Sequence, residues 1–280
     1  MKYVKLIGQL LAVMAFSVSM KLTALPEKPM VIVIPSYNNQ EWYELNLTSA
    51  FTQNYTNYRI IYVDDCSNDG TARGVDEFVR MNGSHVRAEI VHNPKRIGAM
   101  ANIYYAVQRC QEDEIVVLLD GDDWFYHTDV LKELNEIYSS PKQEVWYTHG
   151  TLMEWPSENV TWNEPFPEEA MELGCYRSFK CPSHLRTCYA WLFQRIRLED
   201  FQYEGNFLLM AWDLAIMFPL AEMAGKRHVF IEEPNYVYNM SNPINDNKVD
   251  KDLQNFLEEY LRAQEPYPEL KAAKEWPYAH

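Results

Sequence analysis

The chain has 280 residues, is 47% hydrophobic and 14% aromatic, and carries a formal net charge of −15. That composition can bury a sizeable core in one large domain or two small ones, which excludes disorder. The acidity excludes a nucleic-acid partner, which requires a basic surface. It does not exclude an anionic nucleotide whose phosphates are neutralised by a metal ion.

In chain order, Lys2 and Lys5 precede an apolar stretch from Leu6 to Met20. A membrane span needs about 20 apolar residues, so this stretch is short for one and suits a signal-peptide core, with cleavage after Ser19 or Ala24. Residues 1–25 are read as a signal peptide, with an uncleaved N-terminal anchor as the alternative. The expected location is the secretory-pathway lumen, the periplasm or the outside of the cell, membrane-anchored in the alternative. No second hydrophobic run has membrane length, so no span is expected in the mature chain. Five cysteines are present, and a bridge from Cys175 to Cys181 or Cys188 suits an oxidising compartment. Glycosylation sequons begin at Asn46, Asn54, Asn82, Asn159 and Asn239.

Residues 30–35 are apolar and β-branched, the pattern of a strand buried on both faces. A helix is predicted over 41–52, a second strand over 59–63 ending in Asp64-Asp65, and a helix over 72–81. Then come a strand over 88–92, a helix over 98–109 and a fourth strand over 114–119 that runs into Asp120-Gly121-Asp122-Asp123. A helix near 129–138 and a strand over 144–149 complete a regular alternation, which implies a doubly wound, mostly parallel α/β sheet. Beyond Gly150 the periodicity fades. Residues 151–183 read as an ordered loop or short irregular strands, and 185–196 as strand or helix. A helix over 207–224 is expected to kink at Pro219, followed by a strand over 228–233, a turn-rich loop over 235–247 and an amphipathic helix over 250–262.

Sheets of this class bind ligands at the carboxyl ends of their strands. There the chain collects Ser36-Tyr37-Asn38, Asp64-Asp65 and Asp120 to Asp123. Three aspartates within four residues repel one another unless a cation lies among them, and hard divalent ions such as Mn²⁺ or Mg²⁺ favour carboxylate oxygens. Asp122 and Asp123 are the candidate metal ligands. A helix cap is the plainer use of such acids, but a cap needs only one. Dehalogenase-type phosphatases also end an apolar strand in Asp-x-Asp, with the first Asp as nucleophile; theirs is normally the first strand of the core.

VIVIPSYNN, YVDDCSNDGT and LLDGDDW, in this order and spacing, resemble the family 2 inverting glycosyltransferases with the GT-A fold, over residues 30–245. The resemblance implies a transferase that moves a sugar from a nucleotide-sugar, usually a UDP-sugar, to a hydroxyl acceptor, an unknown glycan, protein or lipid. The incomplete processive-synthase motif at Gln194 makes it non-processive. It implies a GT-A domain over 26–265, preceding a tail over 266–280, and a Mn²⁺ or Mg²⁺ ion. By the same resemblance Pro35, Ser36 and Tyr37 hold uracil and ribose. Asp65, with Asp64 as the alternative, accepts the uracil N3–H. Arg96, with Lys95 as the alternative, lies near the base or diphosphate, and Asn102 sits on the following helix. Asp120 and Asp122 contact ribose or donor sugar.

Inverting transfer is a single displacement that needs one base for the acceptor hydroxyl. The resemblance assigns that base to Asp213, although Trp212 replaces the glutamate usual beside it. His184 and Arg186, in a His-Leu-Arg-Thr segment, are candidates for phosphate, metal or acceptor contacts, and Trp212 for stacking on a sugar. Tyr236, Tyr238 and Ser241 resemble a loop that closes over the donor. The Gln-x-x-Arg-Trp motif of processive synthases is not completed at Gln194. A catalytically inactive, sugar-binding relative is the remaining alternative.

Overall fold

A computed structural model describes residues 25–82, 87–161, 163–180, 183–244 and 250–277. The proposed signal peptide lies outside these residues, as does Cys181. The elements are β1 (Met30–Ser36), α1 (Tyr43–Phe51), β2 (Tyr58–Asp64), α2 (Thr71–Met81), β3 (Ala88–His92), α3 (Ala99–Val107), β4 (Ile115–Leu118), β5 (Trp124–Phe125) and α4 (Val130–Tyr138). They continue with β6 (Tyr147–Trp155), β7 (Val160–Thr161), α5 (Glu168–Leu173), β8 (Arg186–Tyr189), α6 (Ala190–Phe193), β9 (Gln202–Tyr203), β10 (Asn206–Phe207), α7 (Trp212–Ala224), β11 (His228–Asn239) and α8 (Lys251–Arg262).

One sheet runs in the order β3-β2-β1-β4-β8-β6-β11-β5, with β7 on the side of β6. β1, β2, β3 and β4 pair in parallel, as do β6 and β11. The parallel strands are apolar at successive positions because both faces are covered. Val31 and Val33 point into a core built with α3 and α7, while Met30, Ile32 and Ile34 pack on α1 and α4. β8 enters between β4 and β6, antiparallel to both, and carries Arg186 alongside the acidic strand.

The second half departs from expectation in its details. The 185–196 segment is both strand and helix, since β8 passes directly into α6. The helix predicted from Phe207 begins at Trp212, because Phe207 pairs in the β9–β10 hairpin. α7 continues through Pro219 as one helix. The region read as loop contains most of β6's extension, α5 and a 3₁₀ turn at Tyr176–Ser178. The turn-rich reading after residue 234 is corrected: β11 runs on to Asn239, with register shifts on either side of Pro234. A proline is tolerated in a strand at such a bulge. Tyr267 and Leu270, in the tail, are buried in the main core. Cys188 is a free buried thiol in β8, so the Cys175–Cys188 bridge is not formed. Among the described residues no helix is long and apolar enough to cross a membrane.

Candidate active site

The carboxyl ends of β1, β2 and β4 lie side by side, with Ser36 in register with Asp64. Ser36 Oγ accepts from Tyr62 Oη at 2.7 Å and from Asn39 Nδ2 at 3.0 Å, which ties the first strand end to the second. Gly121 N donates to Pro35 O at 3.0 Å. A Cβ at Gly121 would stand 2.6 Å from Ser36 Cβ, so only glycine lets the acidic turn approach β1 this closely.

The two acids after β2 have separate surroundings. Asp65 is buried and its oxygens accept from Asn93 Nδ2 (2.8 Å), Ile97 N (2.9 Å) and Gly98 N (2.8 Å). Asn93 Nδ2 also donates to Asn102 Oδ1 at 2.7 Å. Asp65 therefore fastens the loop between β3 and α3. Asp64 Oδ2 accepts from Ser67 N at 3.3 Å and faces His92 Nδ1 at 3.6 Å, but its buried Oδ1 has no hydrogen-bond partner. Arg96 lies over the Tyr37 ring at 3.9 Å, a cation–π contact on the exposed rim, where Lys95 is exposed as well.

The acidic turn is held from below by Asn46, whose Nδ2 donates to Asp120 O (2.9 Å) and Asp123 O (2.7 Å). From the other side Tyr236 Oη donates to Asp123 Oδ2 (2.6 Å) and accepts from Asp120 N (3.2 Å), while Asn239 N donates to Asp123 Oδ1 (2.7 Å). Asn242 Nδ2 donates to Asp122 Oδ2 at 2.8 Å. Asn46 and Asn239 are fully buried and their side-chain amides are engaged, so neither sequon can carry a glycan. Tyr236 was visible in the sequence as a loop residue. Asn93, Asn239 and Asn242 were missed as site residues, because an asparagine among turn residues gives no sign of which distant acid it serves.

His184 Nε2 stands 3.0 Å from Asp120 Oδ2, and its ring stacks on Tyr236 at 4.4 Å. Nδ1 pairs with Ser183 Oγ at 2.8 Å. Arg186 Nη2 contacts His184 Nε2 and lies 3.7 Å from Asp120 Oδ2. Its Cζ sits 4.9 Å from the centre of the Trp212 ring. Burial opposes ionisation of Asp120, but Arg186 and His184 outweigh it and hold the pKa below the usual carboxylate value. Burial, then the charges of Asp122 and Asp120, push Asp123 well up. Burial and then Arg186 push His184 down to about 4, so the ring is neutral at pH 7. Asp213 opens α7 beside Trp212, and burial raises its pKa against the pull of Arg186.

One ligand atom each from Asp120, Asp123 and His184 lie within 4.8 Å of one another. Two carboxylates and a neutral imidazole are a fit donor set for a divalent cation, and the raised pKa of Asp123 marks an acid that a cation would relieve. Asp122, expected as a ligand, is half-buried, bonded to Asn242 and outside this trio.

The glycosyl transferase family 2 model matches residues 31–196. A teichuronic acid biosynthesis glycosyltransferase, TuaG, of Bacillus subtilis is 32% identical over 108 residues, covering 38% of this chain and 41% of TuaG. The undecaprenyl-phosphate 4-deoxy-4-formamido-L-arabinose transferase of Pseudomonas fluorescens is 37% identical over 94 residues, 32% of this chain and 27% of that one. The matched stretches thus span less than half of these curated relatives. Among solved structures, S. aureus TarS in complex with UDP superimposes with a TM-score of 0.59 at 19% identity, over 77% of this chain and 61% of TarS. The mannosyltransferase PcManGT from Pyrobaculum calidifontis, in complex with GDP-Man and Mn²⁺, gives 0.57 at 17% identity, over 87% and 67%. Identities this low carry the fold alone, and that fold is GT-A.

Proposed function

This chain belongs to glycosyl transferase family 2, and from that premise we propose that it transfers one sugar from a UDP-sugar to a hydroxyl acceptor, with inversion and with the help of a divalent cation. The carrying observation is that the acidic turn after β4 and His184 bring three ligand atoms, from Asp120, Asp123 and His184, within 4.8 Å of one another at the strand ends. Arg186 stands 3.7 Å from Asp120 and its charge acts on Asp213.

In this reading Asp213 takes the proton of the acceptor hydroxyl while the hydroxyl oxygen attacks the anomeric carbon. The bond from that carbon to the diphosphate oxygen breaks, and its electron pair leaves with the nucleoside diphosphate. The raised pKa of Asp213 makes its ionised form a stronger base. Asp120, Asp123 and His184 hold the cation, Mn²⁺ being preferred over Mg²⁺ because one ligand is a nitrogen. Once bound, it supplies Lewis-acid stabilisation of the departing diphosphate. Asp64, rather than Asp65, accepts the uracil N3–H, since Asp65 is committed to the β3–α3 loop while Asp64 Oδ1 has no protein partner. That oxygen is buried, so the nucleotide must open a path to it. Tyr37 and Arg96 flank the nucleotide, and Trp212 lines the acceptor side. The acceptor is a glycan, protein or lipid. The N-terminal apolar run supports a place in the secretory lumen, the periplasm or outside the cell, free or anchored. The phosphatase alternative is set aside, because the family match runs through the acidic turn and three strands precede β4.

Thermal unfolding with UDP, with and without Mn²⁺, tests the donor site. A ligand at 100 times its Kd adds about 2.7 kcal/mol to stability. A shift with UDP that grows with Mn²⁺ is expected; no shift with UDP, GDP or other nucleotides would sink the reading. Asp213→Asn should lower kcat by about 10²–10⁴ while UDP affinity holds. Undiminished turnover in that variant would remove Asp213 as the base.

A further inference from the structure

Resting on the metal-assisted reading, we infer that Arg186 is the internal counter-ion of the acid cluster and yields its place to the divalent cation when one binds. Arg186 is 3% exposed, so its charge is removed from water and must be compensated from within. The compensation comes from Asp120, whose Oδ2 is 3.7 Å away, and from the contact between Nη2 and His184 Nε2.

Proton inventory sharpens the point. A guanidinium has only donors. His184 Nε2 faces two groups, Arg186 Nη2 and, at 3.0 Å, Asp120 Oδ2. Where it turns its lone pair to Arg186, the ring hydrogen sits on Nδ1, donating to Ser183 Oγ at 2.8 Å. The Asp120 oxygen then stands against that nitrogen with no hydrogen from the ring, a repulsion that a cation between them removes. This is the tautomer that a metal-ligating histidine adopts. Arg186 therefore engages the same nitrogen lone pair, and neutralises the same Asp120 oxygen, that a cation in the Asp120–Asp123–His184 trio takes. Two positive groups cannot share that space, because like charges at such separations repel strongly where water is scarce.

The cation consequently releases the guanidinium, and the surroundings offer it a destination. Trp212 presents a ring face to Arg186 at 4.9 Å, and Asp213 follows it at the start of α7. A guanidinium freed along that face brings positive charge to the side where the base waits. Metal binding at the donor side and charge at the acceptor side become one event. Arg186 is in this sense a positioning residue that also reports occupancy of the metal site.

The test reads Mn²⁺ affinity of the full chain by isothermal titration, independently of turnover. Arg186→Gln removes the competitor and should bind Mn²⁺ at least tenfold tighter, equivalent to about 1.4 kcal/mol. Its metal-free melting temperature should fall, and Mn²⁺ should raise it by more than in wild type. Arg186→Lys keeps the charge and should bind Mn²⁺ more weakly than the Gln variant. A folded Arg186→Gln protein with equal or weaker Mn²⁺ affinity overturns the inference. Should that variant not fold, a crystal structure of wild type with Mn²⁺ decides. A guanidinium out of contact with His184 Nε2 supports displacement, and one still in contact refutes it. Wild type that takes up no Mn²⁺, with or without UDP, removes the metal site itself, which separates failure of the earlier reading from failure of this one.

Discussion

Replacing Tyr236 with Phe isolates one hydroxyl at the centre of the site. Tyr236 is fully buried and donates to Asp123 Oδ2 at 2.6 Å while accepting from Asp120 N at 3.2 Å. The Phe ring keeps the stacking on His184, now at 4.4 Å, so the loss is confined to the hydroxyl. A buried hydrogen bond to a neutral carboxyl contributes about 0.5–1.5 kcal/mol, and the orphaned Asp120 N–H adds a cost of about 1–3 kcal/mol. A total near 3 kcal/mol corresponds to a fall of roughly 6–12 °C in Tm for a chain of this size. The hydroxyl also draws the pKa of Asp123 down, against burial and the Asp122 and Asp120 charges that raise it. Without the hydroxyl that pKa climbs further, and a cation must displace a more firmly held proton. Mn²⁺ affinity of Tyr236→Phe should therefore trail wild type most at low pH and recover as pH rises. Denaturant unfolding and Mn²⁺ titrations across about pH 5.5–8 measure both effects. Stability within about 0.5 kcal/mol of wild type, together with unchanged metal affinity at every pH, would refute this account of the acidic turn.

Asp65→Asn should cost about 1–3 kcal/mol of stability, read by denaturant unfolding, because it disturbs three part-buried hydrogen bonds that hold the β3–α3 loop. Asp64→Asn should instead weaken UDP binding, read by calorimetry, with a smaller change in stability; the reverse pattern would exchange the two assignments. Gly121→Ala forces a Cβ to 2.6 Å from Ser36 Cβ and should destabilise by about 1–3 kcal/mol or more while lowering UDP affinity. A variant as stable as wild type would mean that the turn has room to move. His149 is fully buried among aromatic rings, and burial followed by the His228 charge lowers its pKa from 6.5 to about 3. The unfolded chain takes up that proton first, so the fold loses about 2 kcal/mol as pH falls from 7 to 5. Melting curves across that range should show a shallower acid loss in His149→Phe, and an unchanged slope would remove His149 as its cause.

The first half of the chain was legible because its signals are local. Continuous β-branched runs separated by helical stretches mark strands covered on both faces, and β1 to β4 with α1 to α4 lie within a few residues of their predicted bounds. The acids and the serine at the strand ends were legible for the same reason, since a buried strand that stops in polar residues has reached a crevice. The second half was harder because its elements change type without changing composition. β8 passes into α6 with no turn residue between them, and β11 crosses Pro234 at a bulge that its pairing with β6 makes acceptable.

What local pattern alone determined, then, was the layered fold and the shortlist of functional residues. Which of those residues has an oxygen to spare was decided by tertiary structure. Asp64 and Asp65 are adjacent and chemically identical, and only the approach of the β3–α3 loop commits Asp65 and leaves an oxygen of Asp64 unpartnered. Asp120 meets His184, 64 residues away, and Asp123 meets Tyr236, 113 residues away. Hydrogen bonds and ion pairs act over a few ångströms of space. Which groups come that close depends on strand order, which no stretch of neighbouring residues encodes.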